Sequence, residues 1–320
     1  MNSTFARRTL LKAATGSALL AAGVARAQSQ PTPTAQPWAN GTRLVLLGTM
    51  AGPVLHPSRM MSSQAVFVNG RGFLVDCGYG TIARMTEMGM RLGELSHILV
   101  THHHSDHTAD YPALLNLAWI LGIKGQLGIY GPPPMLKMHQ AALAVFEEDT
   151  DIRIAATRRE PVAKSFQVRE VSSPGLVHED SSVKITAALA DHAPFEVALA
   201  YRFDTAERSI VISGDTAQSD AVARLARGAD VLVHEAMYEP SIEQMLAKRP
   251  YVPPTLREFL RKGHTSAEDA GRVAAQAGVK TLVLSHLLPG DEPVADSVWI
   301  DQASKHFKGE IIVGRDKMVL

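Results

Sequence analysis

Between Thr101 and Asp110 the chain reads THHHSDHTAD, with four histidines and two aspartates in ten residues directly behind the apolar run HILV. Histidine at this density marks a metal site, a tag or a solvated loop, and spacing separates the three. His102 and His104 stand two apart, so imidazoles leaving the end of a strand can point to one side and share a metal. Asp106 and His107 are adjacent and, in the turn that follows, can face a second metal. His-x-His-x-Asp-His is therefore half of a two-metal site. His103 falls out of phase and is expected to turn away.

Two ligands per metal leave both sites incomplete. Three residues stand where strand-like runs end: His192 in LADHAPFEVALAYRF, Asp215 in IVISGDT and His286 in TLVLSH. Loops at strand ends, held by a rigid sheet, are where folds place such groups. One strand-end histidine or aspartate is ordinarily a cap or a surface residue. Three in this order, each behind an apolar run, complete two metal sites.

The elements that must position them alternate between strand and helix patterns without a break in composition, which argues for one layered α/β domain. Strand-like runs include RLVLLG (43–48), AVFVN (65–69), GFLVD (72–76), HILV (97–100), VKITAAL (183–189), SIVIS (209–213), DVLVH (230–234) and TLVLSH (281–286). A hairpin is expected at Gly70-Arg71. Thr265-Ser266-Ala267-Glu268-Asp269 offers a hydroxyl cap with first-turn carboxylates, and Gly278 a stop, so a helix is expected between them. A second is expected from about Ser219 to Arg227, and Met237 to Gly263 reads as a helix-bearing lid. Asp110 is expected to cap a helix beginning near Pro112.

The first 27 residues pair Arg7 and Arg8, continue into a weakly apolar Ala/Gly/Leu segment and end in Ala25-Arg26-Ala27, a small-x-small cleavage pattern. The apolar part is too short to span a bilayer. The paired arginines resemble a twin-arginine (Tat) export signal. Residues 28–41 are expected to be a linker and residues 42–320 the working domain. The chain holds 32 basic and 32 acidic residues, and the first 27 carry four of the bases and no acid. The remainder is thus slightly acidic and lacks the basic excess of a typical nucleic-acid binder. Cys77 is the single cysteine, so no internal disulfide forms; its place in FLVDCG suggests a buried small residue.

HHHSDH, SGDT and LSH, in this order and with these flanks, resemble the metallo-β-lactamase superfamily from about Arg43 to the C-terminus. LLGTMAGP, SSQAVFVNGRGFLVDCGYGT and GHTSAEDAG narrow the resemblance to the branch that contains ribonuclease Z and a bacterial arylsulfatase. The resemblance implies a four-layer αββα metallo-β-lactamase sandwich with metals at one edge. It implies one zinc on His102, His104 and His192, another on Asp106, His107 and His286, and Asp215 bridging them. Manganese, iron or mixed occupancy are compatible with the same donors. His264 in GHTSAEDAG, with Asp106 and Glu235, would be catalytic: a hydroxide between the metals attacks, His264 protonates the leaving oxygen, and Glu235 orients His264. His56 is expected to line the pocket.

In ribonuclease Z a long arm that grips tRNA lies between the positions of His192 and Asp215, whereas only 22 residues separate them here. With the acidic balance and export signal, this leads to an expected periplasmic or secreted hydrolase of small esters, sulfate esters as in arylsulfatase or phosphodiesters. The alternatives are a lactonase or other carboxylic-ester or β-lactam hydrolase and, of another class, a metal-binding protein without turnover. The expected partners are a small-molecule ester and, for the precursor, the Tat machinery. Nucleic acid and a membrane anchor are not expected, and a homo-oligomer is compatible with the chain.

Overall fold

Two seven-stranded mixed sheets carry the chain, described by a computed structural model over residues 36–249, 252–253, 255–291 and 293–320. The expected export signal and the linker up to residue 35 lie outside the described residues. The first sheet contains β1 (Thr42–Gly48), β2 (Ser63–Val68), β3 (Arg71–Val75), β4 (Leu95–Leu99), β5 (Leu127–Gly131) and β6 (Phe166–Glu170), with the C-terminal β14 (Met318–Val319) on the edge beside β1. The second runs in reverse spatial order through β7 (Gly175–Glu179), β8 (Val183–Ala190), β9 (Ala198–Thr205), β10 (Ser209–Ile212), β11 (Val231–Met237), β12 (Thr281–Leu288) and β13 (Glu310–Val313).

Period-2 alternation explains why the sheets stack. On β1, Leu44 and Leu46 enter the core between the sheets, while Val45 and Leu47 face the opposite way. Facing Leu44 and Leu46 in that core are Tyr201, Phe203, Ile210 and Ile212 of the second sheet. A strand apolar on both faces needs a helix layer on its outer side. The first sheet is covered by α1 (Thr81–Glu87), α3 (Tyr111–Leu121) and α4 (Met135–Ala144), through Met85, Tyr111, Leu114, Trp119 and Met135. The second is covered by α6 (Asp220–Leu225), α9 (Ala267–Ala277) and α10 (Asp296–Ser304), through Val222, Val273, Ala274 and Trp299. The layering is α/β/β/α, as expected.

The remaining helices are α2 (Ser105–Thr108), a single turn inside the histidine cluster, α5 (Glu147–Thr157), α7 (Glu239–Lys248) and α8 (Leu256–Gly263). The last two are the helices expected between Met237 and Gly263, packed through Ile242, Met245 and Leu260 onto Ala51, Met237 and Leu288. Ser266 caps α9 by accepting from the Asp269 backbone, and Gly278 ends it in the left-handed region, as read from the sequence. No helix among the described residues is long and apolar enough to cross a membrane.

Three local readings are corrected. The hairpin turn is Asn69-Gly70, at φ 49° and 79°, one residue earlier than expected, because a two-residue turn of this hand needs two positive φ values and Arg71 already pairs with Val68. Residues 38–41 are not free linker: Trp38 is 2% exposed and stacks on Phe67 with ring centres 5.2 Å apart. Asp110 does not cap its own helix by side chain; its Oδ2 accepts from the Ile82 backbone 3.0 Å away, serving the first turn of α1 instead.

On the interior strand β4, His97 stacks between Phe73 and Tyr130 of the flanking strands, its ring 4.2 Å from that of His178, with Arg71 and Asp180 as the nearby charges. Burial, reinforced by His178 and Arg71 against Asp180, pushes His97 down to about 4. An unfolded chain binds that proton from about pH 6.5 downward while the folded one refuses it until about 4. Stability is therefore expected to fall as pH drops through this window, by on the order of 2–3 kcal/mol from this residue. Denaturant midpoints at pH 7 and pH 4.5 should differ less in His97→Gln than in the parent; equal differences would contradict the assignment.

Candidate metal centre

The strands of both sheets end at one edge, and the sequence-predicted residues converge there. β4 delivers Thr101 and His102, α2 carries Asp106 and His107, and His104 precedes α2. His192 follows β8, Asp215 follows β10, and His286 lies in β12. Chain sterics permit this only where side chains are missing. At Gly214, with φ 61°, a Cβ would stand 2.9 Å from both Leu199 O and Thr101 Cβ, so the residue before Asp215 has to be glycine for the loop to pass. His286 itself has φ 44°, a left-handed backbone that costs about 1–2 kcal/mol for a residue with a Cβ. The surrounding sheet holds it there, which aims the ring at the other ligands.

Three groups of donor atoms result among the described residues: His102, His104, His192 and Asp215; Asp106, His107, Asp215 and His286; and Glu235, His264 and His286, with Asp215 common to the first two. His104 Nδ1 lies 3.0 Å from His102 Nε2 and 3.2 Å from His192 Nε2. His286 Nε2 lies 3.3 Å from His107 Nε2, from Asp106 Oδ2 and from Asp215 Oδ1. Asp215 Oδ2 is 3.7 Å from His102 Nε2. His103 turns away, its ring against Pro132 O and Met138 Sδ.

These atoms fit a pair of cations. Asp215 Oδ1 is buried without a hydrogen-bond partner, which is costly for a carboxylate oxygen unless a cation faces it. Burial, with His192 or His107 adding to it, holds His104 down to about 4 and His102 well below the usual histidine range. Burial also lowers His192. Neutral imidazoles offer the lone pairs that ligation requires. At His107 burial opposes charge, but Asp215, Asp106 and Asp76 together outweigh it and raise the ring well above the usual range. Three carboxylates converging on one imidazole show that this half of the site calls for positive charge.

A supporting layer fixes the rings. His107 Nδ1 is 2.8 Å from Asp76 Oδ2, and His192 Nδ1 donates to Gly263 O at 2.7 Å. Asp76 also accepts from Thr101 N and Oγ1, both at 2.8 Å, and so braces the residue ahead of His102. The sequence reading passed over Asp76, although it carries the signal that singled out Asp215, a carboxylate directly after an apolar strand; its φ of 59° marks it further. Gly78 lets this loop approach, since a Cβ there would stand 2.1 Å from Asp106 O. Asp76→Ala is expected to weaken metal binding about 10–100-fold. Competitive chelator titration measures this, and unchanged affinity would contradict the bracing role.

His264, the residue after α8, presents Nδ1 to both oxygens of Glu235 at 3.1 and 3.0 Å. Glu235 Oε1 is held in turn by Thr216 N at 2.6 Å, next to Asp215. Burial disfavours a charged His264, but Glu235 and then Asp215 and Asp106 outweigh it and push the ring up to about 9. The His264–Glu235 pair thus stands beside the groups that share Asp215. His56 lines two cavities whose walls include none of the candidate metal ligands, and its Nδ1 lies 3.0 Å from Ser58 Oγ. Phe195 lies edge-on to His104 at 4.6 Å between ring centres, an apolar wall on the other side of the site.

Residues 71–287 match a family model described as a beta-lactamase superfamily domain. A relative named ribonuclease Z from Mycobacterium bovis (strain BCG / Pasteur 1173P2) is 32% identical over 276 residues, covering 85% of this chain and 95% of the relative. Among solved structures, the metallo-β-lactamase fold protein YhfI from Bacillus subtilis superposes with a TM-score of 0.67 at 19% identity, covering 88% of this chain and all of that one. The short form of human tRNase Z gives a TM-score of 0.63 at 20% identity, covering 87% and 98%. These relatives overturn one expectation. A small-molecule ester substrate with nucleic acid excluded does not stand against relatives whose name is that of a ribonuclease. Overall charge does not decide the question because it averages over the whole surface.

Proposed function

The chain belongs to the metallo-β-lactamase superfamily and is a metal-dependent hydrolase of ester bonds; from that premise we propose that it is a two-zinc phosphodiesterase that cleaves RNA and is exported. The observation that carries this is the pair of donor groups sharing Asp215, with the His264–Glu235 pair beside them. His102, His104 and His192 would hold one ion, Asp106, His107 and His286 the other. When bound, the pair supplies Lewis acidity and a water ionised near neutral pH.

The chain's own residues do the rest. Attack on phosphorus breaks the bond to the leaving oxygen, which must gain a proton. His264 has Nδ1 committed to Glu235, so Nε2 is the atom that hands the proton over, and Glu235 stabilises the charge that makes His264 a donor. Phe195 and Phe259 of α8 stand edge-on to His104 and shield that side from bulk water.

The relatives' name supports RNA as the substrate class. Residues 193–214 consist of a short loop, β9 and β10, and leave no inserted arm between His192 and Asp215. RNA would therefore be gripped close to the scissile bond rather than at a distant fold. Zinc is supported by the imidazole and carboxylate donors. Export is supported by Arg7-Arg8 and the cleavage pattern behind them. The test is a substrate panel on zinc-loaded protein: an RNA oligonucleotide with an unstructured 3′ end, bis-nitrophenyl phosphate and nitrophenyl sulfate. Cleavage of the two phosphodiesters over the sulfate supports the reading, and preference for the sulfate overturns it.

A further inference from the structure

Between β1 and β2 the chain makes a loop whose base closes through Met50 N donating to Met60 O at 3.0 Å. A second closure comes from the opposite end of the sequence. Asp316, its side chain 3% exposed, accepts on Oδ1 from Thr49 N at 3.1 Å and Thr49 Oγ1 at 2.8 Å. Its Oδ2 accepts from Met60 N at 2.7 Å and Arg84 Nε at 3.1 Å. One buried carboxylate thus ties both ends of the loop together, and Arg84 adds a bond to Ser58 O at 3.1 Å. Arg59 braces the same corner, donating to Thr49 Oγ1 at 2.7 Å and Gly314 O at 2.9 Å.

Inside the loop, Gly52 N donates to Asp106 Oδ2 at 2.8 Å, the oxygen that lies 3.3 Å from His286 Nε2. Gly52 has φ 76°, so only a residue without a Cβ turns its N–H this way without strain. The rest of the loop, with Met50, Leu55, His56 and Tyr79, walls a cavity of about 320 Å³.

The geometry points to Asp316 as a positioning residue: by holding both ends of the 49–60 loop it aims Gly52 N at Asp106 and so sets the half of the centre formed by Asp106, His107 and His286. Asp316 touches no candidate metal ligand and acts through the loop. Partners that orient metal ligands typically contribute 10–100-fold to affinity. This inference rests on the two-metal reading, and its test separates the two.

Cobalt(II) is titrated into the full-length parent, Asp316→Asn and Thr49→Val, following absorbance. The sites are told apart by repeating each titration with His192→Ala, which lacks a ligand of the first site. Asp316→Asn is expected to weaken the Asp106 site about tenfold and leave the His102 site unchanged. Thr49→Val, which leaves the Asp316–Arg84 pair intact, shifts the same site less. Equal weakening of both sites, or of neither, overturns the inference. Should Asp316→Asn fail to fold, Thr49→Val decides: selective weakening supports the role and an unchanged site overturns it. A parent that binds fewer than two ions overturns the two-metal reading, and this inference with it.

Discussion

Asp215→Ala is expected to abolish turnover and to lower the metal content of the protein below two ions per chain. Asp215 is the one residue common to both donor groups, buried, with Oδ1 near His107 and His286 at 3.3 Å and Oδ2 facing His102. Its loss removes a ligand from each ion and the negative charge between them. His107 and His286 are then left facing each other with less carboxylate to offset them. Metal ions supply several kcal/mol of transition-state stabilisation, and each 1.36 kcal/mol is tenfold in rate, so a fall of about 10³-fold or more is expected. Elemental analysis and phosphodiester hydrolysis check it together. A variant that keeps two ions and full activity would show that Asp215 is not the shared ligand.

His264→Ala is expected to separate catalysis from metal binding. His264 presents Nδ1 to Glu235 and stands 4.0 Å from Asp215 Oδ2, close enough to serve the reaction without belonging to the two four-residue groups. Losing a positioned proton donor costs about 10²–10⁴-fold, and both ions should remain bound. The loss is expected to shrink with a substrate whose leaving group is a good one, such as nitrophenolate, because that oxygen needs no proton. If the variant loses metal in parallel with rate, or slows all substrates equally, His264 is a ligand or a structural residue instead. Glu235→Gln should show a weaker form of the same pattern, since it leaves the ring in place with less charge to hold the proton.

That the seven candidate ligands converge was legible in the sequence for a physical reason. Four of the seven residues lie within six positions, because a strand end and a single helical turn are enough to face two ions. The other three advertise themselves by following apolar runs, and the sheet that those runs build brings them to the same edge. The four-layer stack was expected from the resemblance carried by HHHSDH, SGDT and LSH, and β1, buried on both faces, packs as such a stack requires. Less visible were residues whose work depends on contacts distant in sequence. Asp76 carries the same strand-end signal as Asp215, but its role appears only when Thr101 and His107 are seen around it. Asp316 lies 256 positions from Met60, whose backbone it holds. Asp110 was read as capping the helix that follows it, whereas tertiary packing turns its carboxylate to a helix almost thirty residues earlier. Trp38 was assigned to a linker because the proline-rich composition around it outweighed the one large aromatic residue that the core takes in. The exclusion of nucleic acid failed against the relatives' name, because net charge is a property of the whole chain and does not locate a binding surface.

The proposed function requires two ions to act together on a phosphodiester. Metal-free protein, confirmed folded by circular dichroism, is reloaded with zinc in steps, and hydrolysis of bis-nitrophenyl phosphate and of an RNA oligonucleotide is followed at each step. The account predicts that activity on both substrates stays low up to one ion per chain and rises to its maximum at two. Full activity at one ion, or none on either substrate at two, would contradict it.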